Sequence, residues 1–387
     1  MSTSKASSLN PDAPPGQPCV PDEPWLSLLA PEDRDFVSGV FSDRIEDPGF
    51  RSRAQLELMD PFDREDYDDA RLAYLRMTPL IETTVVSDVL GALETSAKTA
   101  ARVHRRSDLV RAKLHSQDIL ILDGDPGVGK TMICSVHLAT EMINSARRRW
   151  RAMQRGEADH LDAFRPVASV TLDGPTTGKQ LLTLICQSLG RPVDKDPTRS
   201  FITTIERCGL QLLFVDEIHA VNFDRKTGDH VHHMIRTIAN RGVRVILASN
   251  DIDWVLQNQR TPGQGTGARI SRGRWVPLTV SKLEIDTAAG QTEWADLLDV
   301  FESRLRLTDQ PRRPGWLADD FGPYLWASTQ GYMNALVRLL NDGTARAMET
   351  GAERLDRKLF DSIPLQAEVQ TPRGRHVALH DSANATP

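Results

Sequence analysis

Gly124-Asp125-Pro126-Gly127-Val128-Gly129-Lys130-Thr131, preceded by the apolar run Ile119-Leu120-Ile121-Leu122, decides the reading of this chain. A glycine, four residues and then Gly-Lys-Thr, set between a buried-strand pattern and a helix pattern, make a complete phosphate-binding loop. The glycines let backbone N–H groups turn inward with no Cβ in the way, so that they surround phosphate oxygens at a helix N-terminus. Lys130 is then expected to reach the β- and γ-phosphates, and the Thr131 hydroxyl to ligate Mg²⁺.

Downstream, Leu212-Leu213-Phe214-Val215 runs into Asp216-Glu217, about 85 residues after the loop. Two carboxylates at the end of a buried parallel strand lie where open α/β sheets bind their ligands. Asp216 suits Mg²⁺ held through its water shell, and Glu217 suits orienting and deprotonating the water that attacks the γ-phosphate. A further strand, Arg244–Ala248, ends in Ser249-Asn250-Asp251. Asn250 is the choice for a polar contact to the γ-phosphate or the attacking water, although Ser and Asn also end strands as ordinary turn residues. Between these pieces the periodicity predicts a strand over 167–172 and helices over 129–148, 178–189, 201–208 and 229–240. His219, His230, His232 and His233 lack a cysteine partner, and an amphipathic helix accounts for the last three better than a metal site does. Arg147-Arg148-Arg149-Trp150-Arg151 ends the first helix pattern, where cations complement the macrodipole; a nucleic-acid contact is the competing use, shared with the basic run from Arg102 to Lys113.

Length and composition bound the rest. A chain of 387 residues holds about two domains. No apolar run approaches the roughly 20 residues of a membrane span, and the Ser/Pro-rich start lacks a signal peptide's apolar stretch, so a cytoplasmic protein with no membrane partner is expected. Cys19, Cys134, Cys186 and Cys208 are scattered without CxxC spacing, as in buried or free thiols. The net charge of −6 conceals fifteen Asp/Glu against five Arg over residues 21–70. An acidic arm therefore precedes a mildly basic body, serving as tether, partner-binding segment or solvated stretch.

The order of GDPGVGKT, an intervening strand, LLFVDE and VILASN resembles the AAA+ ATPases over about residues 95–365. More narrowly, YLRMTPLIET, DEIHA, EWADLLDVFESRL and STQGYMNALVRLL resemble the TniB/TnsC-type ATP-binding proteins of transposons. The resemblance implies an α/β fold: a P-loop AAA+ core with a five-stranded parallel sheet flanked by helices, and a C-terminal helical lid. The expected layout is a disordered tail over 1–22, an acidic extension with short helices over 23–94, the nucleotide-binding core over 95–285, the lid over 286–365 and a second disordered tail over 366–387. ATP and Mg²⁺ are the implied cofactors. Double-stranded DNA, a DDE-type transposase, and the protein itself in an ATP-dependent ring or filament are the implied partners. The family pattern falls on Lys130, Thr131, Asp216, Glu217 and Asn250, and it calls for an arginine that completes a neighbouring subunit's site just before the fifth strand at 275–280. Arg269, Arg272 and Arg274 all fit, since arginine stays charged and offers a planar fork to phosphate oxygens. One departure stands in Gly331-Tyr332-Met333-Asn334, where many AAA+ proteins place a nucleotide-sensing arginine and this chain places Asn334.

Helical patterns over 292–307, 316–328, 331–348 and 352–363 supply the lid, with Trp316, Tyr324 and Trp326 read as its core rather than as a base-stacking platform. A signalling or defence switch ATPase shares the core but ordinarily carries repeats, and none is visible. A replication-initiator or helicase-loader ATPase ordinarily adds a DNA-binding domain beyond the lid. A GTPase is disfavoured because no Asn-Lys-x-Asp follows the strands.

Overall fold

The computed structural model describes residues 23–41, 45–106, 118–158, 161, 164–193, 196–221, 226–250 and 275–365. The two expected tails, Arg111, Lys113, and Arg269, Arg272 and Arg274 lie outside them.

Five parallel strands form one sheet: β1 (Ile119–Asp123), β2 (Val167–Thr171), β3 (Leu212–Asp216), β4 (Arg244–Ser249) and β5 (Trp275–Thr279), in the order β2-β3-β4-β1-β5. Register aligns Asp123 with Ser249 and Thr171 with Asp216, so the carboxyl ends share one edge. Each central strand is apolar on both faces because both faces are covered. Ile119 and Ile121 belong to one core cluster, Leu120 and Leu122 to another, as a period of two requires.

Helices α1 (Pro31–Phe41), α2 (Arg53–Glu57), α3 (Pro61–Arg76) and α4 (Thr84–Arg106) precede the sheet. Helix α5 (Lys130–Gln154) follows the loop, and α6 (Gly178–Ser188), α7 (Pro197–Cys208) and α8 (Lys226–Asn240) connect the later strands. Val86, Val89, Leu93 and Ala100 make the buried stripe of α4, and the first three pack with Ile133, Leu138 and Met142 of α5 against the Leu120 face. Leu181, Leu182 and Ile185 of α6 and Val231, Ile235 and Ile238 of α8 cover the Ile121 face. Helix α7 starts earlier than its apolar pattern predicts, because Asp196 accepts from the N–H groups of Thr198 and Arg199 and Pro197 occupies the first turn. Cys134, Cys186 and Cys208 are buried free thiols.

Helix α5 runs six residues past its expected end. Its basic run is therefore mostly interior to the helix, and only Arg151 lies in the last turn, where the macrodipole argument applies. Arg147 stacks 4.7 Å from the Trp25 ring and Arg149 5.2 Å from Phe164, so two of the four arginines hold neighbouring aromatics.

The C-terminal part is helical: α9 (Ala288–Arg304), α10 (Trp316–Thr329), α11 (Met333–Glu349) and α12 (Arg357–Asp361). Trp316 is buried in its core beside Leu298, Leu325 and Leu339, and Tyr324 and Trp326 pack against that core. Helix α12 is shorter than expected, because Glu353 takes a left-handed conformation at φ 51° and Asp356 caps a new start through the Leu359 N–H.

The acidic segment is divided between these two cores. Trp25, Leu29 and Val37 join the Leu120 side of the sheet, whereas Leu75 of α3 joins the helical core. Arg71 on α3, 1% exposed, donates through Nη1 to Glu353 Oε2 at 2.8 Å and to the Arg306 carbonyl at 3.1 Å. Its other amine bonds Asp68, and Arg64 reaches Glu353 Oε1 at 2.6 Å. Burial alone would raise the Glu353 carboxyl, but the hydrogen bonds and charge of Arg71, the Thr308 N–H and Arg64 hold it below its ordinary 4.5.

Glu353→Gln should destabilise the fold by about 3–5 kcal/mol, since it removes the buried counter-charge of Arg71 and leaves only the partly exposed Asp68 to pair with it. A depressed folded-state value means that the ionised Glu353 contributes in full above pH 4.5, and that this contribution fades as pH falls through the lower folded value. Urea melts of both proteins between pH 3 and pH 7 check this: the variant should lose stability at neutral pH and show a flatter acid limb than the parent.

Candidate nucleotide-binding site

The loop between β1 and α5 is shaped by what lies against it. A Cβ on Gly124 would sit 2.1 Å from the Val280 carbonyl oxygen. Gly127 is left-handed at φ 85°, and a Cβ there would lie 2.3 Å from the Asn334 side chain. Glycine is thus required at both positions by close approach as well as by conformation. Helix α5 opens directly at Lys130, so its first unpaired N–H groups face the loop.

Lys130 Nζ donates to the carbonyls of Gly124 at 2.7 Å and Asp125 at 2.9 Å, and to Asn250 Oδ1 at 2.8 Å. Burial lowers the pKa of its ammonium, while the surrounding carboxylates of Asp123, Glu217, Asp216 and Asp125 act in the opposite direction. Thr131 Oγ1 lies 3.4 Å from Asp216 Oδ2, and Asp216 Oδ1 accepts from the Glu217 N–H at 2.9 Å. Glu217 is left-handed at φ 58°, and its Oε2 lies 2.9 Å from His219 Nε2. These groups border a cavity of about 470 Å³, with Pro126, Gly127, Gly129, Lys130, Thr131, Asp216, Glu217 and Asn250 on one side and Met333, Asn334, Val337 and Arg338 of α11 on the other.

The donor set fits a nucleotide with Mg²⁺. A hard cation takes oxygen ligands, and a hydroxyl and a carboxylate stand together at Thr131 and Asp216. The ammonium of Lys130 and the guanidinium of Arg338 supply positive charge for phosphates, and the volume lies in the ordinary range for small-molecule sites.

Every expected residue of the loop, together with Asp216, Glu217 and Asn250, is brought to this one edge of the sheet. The three expected trans-acting arginines, Arg269, Arg272 and Arg274, lie outside the described residues. Three participants escaped the sequence reading. Tyr332 Oη donates to Asp125 Oδ2 at 2.7 Å. Arg338 lines the cavity one helical turn after Asn334 and is bonded to Asp342 at 3.3 Å. His219 pairs with Glu217, whereas sequence considered it only for a metal. The signal for Arg338 was present, since residues four apart share a helix face. Asn334 itself binds the loop, its N–H donating to the Gly127 carbonyl at 3.0 Å. Of the other histidines, His232 is buried with its ring 5.3 Å from Trp275.

Residues 112–251 match the family model described as AAA domain. No curated protein matches the chain. Among solved structures the chain is similar to the ORC2 protein of Aeropyrum pernix in its ADPNP-ADP complexes, at 15% identity over 71% of this chain and 68% of that one, with a TM-score of 0.46. It is similar to Cdc6p from Pyrobaculum aerophilum at 14% identity over 70% and 69%, TM-score 0.41, and to Drosophila ORC bound to DNA at 13% identity over 81% and 68%, TM-score 0.43. The phosphate loop, the five-stranded parallel sheet with its flanking helices and the helical C-terminal part are the P-loop AAA+ fold, with the AAA domain match at residues 112–251.

Proposed function

We propose that this chain is an ATP-dependent regulator of DNA transposition, which binds and hydrolyses ATP, assembles with itself on target duplex DNA and recruits or activates a DDE-type transposase. The convergence of Lys130, Thr131, Asp216, Glu217 and Asn250 on one cavity carries the ATPase reading. The resemblance of Tyr74–Thr83, Asp216–Ala220, Glu293–Leu305 and Ser328–Leu340 to transposon ATPases supports the rest.

In this reading Lys130 exchanges its contacts with Gly124, Asp125 and Asn250 for phosphate oxygens. Bound Mg²⁺, held by Thr131 and Asp216, would offset phosphate charge. Glu217 orients a water and accepts its proton, and Asn250 holds that water or the γ-phosphate. Residues 95–285 act as the nucleotide core and 286–365 as the lid, from which Arg338 adds charge to the cavity. One of Arg269, Arg272 and Arg274 completes the site of the next subunit, a head-to-tail contact that repeats into a ring or a filament.

Lys130→Ala should abolish ATP binding. Glu217→Gln should keep binding and lower turnover by about 10²- to 10⁴-fold, the range for a general base. Fluorescent-nucleotide titration beside phosphate release separates the two roles, and equal loss of binding in both variants would contradict the division.

Assembly follows from the shared site. ATP, Mg²⁺ and duplex DNA together should convert small species into large ones by light scattering, and ADP should not. One among Arg269→Ala, Arg272→Ala and Arg274→Ala should block assembly and hydrolysis while sparing ATP binding. A monomer that hydrolyses ATP at full rate with DNA present would refute the shared site.

Duplex binding should be insensitive to sequence and weaken with salt, since it rests on phosphate contacts. Arg151→Gln, at the one position of the run inside the last turn of α5, should reduce the slope of log affinity against log salt by about one if it meets a phosphate. An unchanged slope would assign Arg151 to closing the helix.

A further inference from the structure

The sheet carries a second polar recess, at the end opposite the nucleotide cavity. Two adjoining cavities of about 290 Å³ each share Ala97 and Ala101 of α4 and Glu141 and Arg148 of α5. One reaches Gln211 just before β3, Arg244 at the start of β4, and Arg241 in the turn that leads into β4. The other runs along α5 to His137. Glu141 follows Lys130 by eleven residues on the same helix, about 16 Å at the rise of an α-helix, so the recess is separate from the phosphate loop. Small side chains make the space: Ala97, Ala100 and Ala101 are three and four residues apart and share one face of α4.

Charge gives the recess its character. Arg244 and Glu141, 5% and 4% exposed, form an ion pair at its floor. That pair uses the one buried carboxylate. Arg148 stays 3.9 Å from the same carboxylate and is held by Ser145 Oγ at 2.8 Å and Gln211 Oε1 at 3.3 Å. Arg241 is exposed at the rim and has no carboxylate partner among the described residues. Glu94, on the α4 side, pairs with Lys98 at 2.8 Å. Two guanidinium charges, those of Arg148 and Arg241, are thus left over.

His137 is an independent sign of a ligand. It lines the recess one turn before Glu141, is 2% exposed, and its Nε2 is buried without a hydrogen-bond partner among the described residues. Burial, and then the charge of Arg244, push its pKa down to about 3, so the ring is neutral at pH 7. A neutral imidazole can present one N–H to an oxygen, and a buried polar atom left unpaired is costly.

We propose that this recess binds a small phosphate monoester, with the phosphate on Arg148 and Arg241 and an oxygen of the organic part on His137. A monoester carries close to two negative charges at pH 7, which matches the two uncompensated guanidinium groups, and their planar forks suit its oxygens. The organic part lies along the alanine wall. A backbone phosphodiester carries one charge, and duplex DNA is too wide for a cleft between two helices. Each cavity is at the small end of the range for small-molecule sites, which favours a ligand of a few carbons. The inference does not rest on ATP hydrolysis.

Calorimetric titration of the full chain with ribose 5-phosphate, glycerol 3-phosphate and inorganic phosphate tests this, with a non-hydrolysable ATP analogue and Mg²⁺ present to fill the loop. At least one ester should bind more tightly than inorganic phosphate. Arg148→Gln and Arg241→Gln should each weaken both kinds of ligand about tenfold, the factor for losing one hydrogen bond to a charged group. His137→Leu should weaken the ester and spare inorganic phosphate, and His137→Asn, which keeps an N–H donor, should return part of the loss. Ala97→Leu should exclude the ester by filling the space, with no change of charge. All these variants leave the loop intact, so their differences from the parent report on the recess whether or not the loop takes nucleotide. Melting curves check that each variant folds. Esters that bind no better than inorganic phosphate, affinities indifferent to Arg148 and Arg241, or displacement of the ester by a short duplex with unphosphorylated ends would each overturn the proposal.

Discussion

The ammonium of Lys130 is the point on which the site depends. It ties the carbonyls of Gly124 and Asp125 to Asn250, and so fastens the loop after β1 to the end of β4. The sheet makes this possible: β1 and β4 are neighbours in parallel register with Asp123 opposite Ser249, which leaves the following residues of each strand side by side. A slip of one residue in that register would exchange the two faces of β1 and carry the loop away from Asn250. Burial makes the charge costly, and four nearby carboxylates offset the cost.

The helical part meets the same loop. Tyr332 and the Asn334 N–H bind Asp125 and Gly127 directly, and Gly331 lets the chain pass so closely that a Cβ there would fall 1.9 Å from the Leu283 carbonyl oxygen. Farther from the sheet, Arg71 and Glu353 fasten α3 to the turn after α11. Buried ion pairs contribute little net stability against a hydrophobic replacement, but they are strict about geometry. Their effect is to specify where the acidic segment rests, which explains how a stretch so rich in Asp and Glu is ordered against two cores.

The strands were legible because they are buried on both faces, and runs such as Ile119–Leu122 and Leu212–Val215 have no other reading at that length. The loop, Asp216, Glu217 and Asn250 were legible because each follows such a run. Boundaries that depend on caps or polar surface were not. Helix α5 continues through its arginines because Trp150 still packs on the core and Arg147 and Arg149 have aromatic partners, none of which periodicity reveals. Helix α12 was overextended because nothing in the sequence announces a left-handed Glu353. The contact of His219 with Glu217 was not legible for the same reason, since it depends on a left-handed residue that propensity would place elsewhere.

Asn334 shows how the two halves of the site are coupled. Sequence marks it as the loss of an arginine, yet its backbone and side chain fill the space beside Gly127 that no larger loop residue could share. The charge is carried instead by Arg338, one turn along the same helix and on the same cavity. A phosphate that enters against the loop must therefore meet a surface to which α11 is already bonded. Movement of the helical part and occupation of the loop are not independent: lifting α11 breaks the Asn334–Gly127 and Tyr332–Asp125 contacts and withdraws Arg338 together.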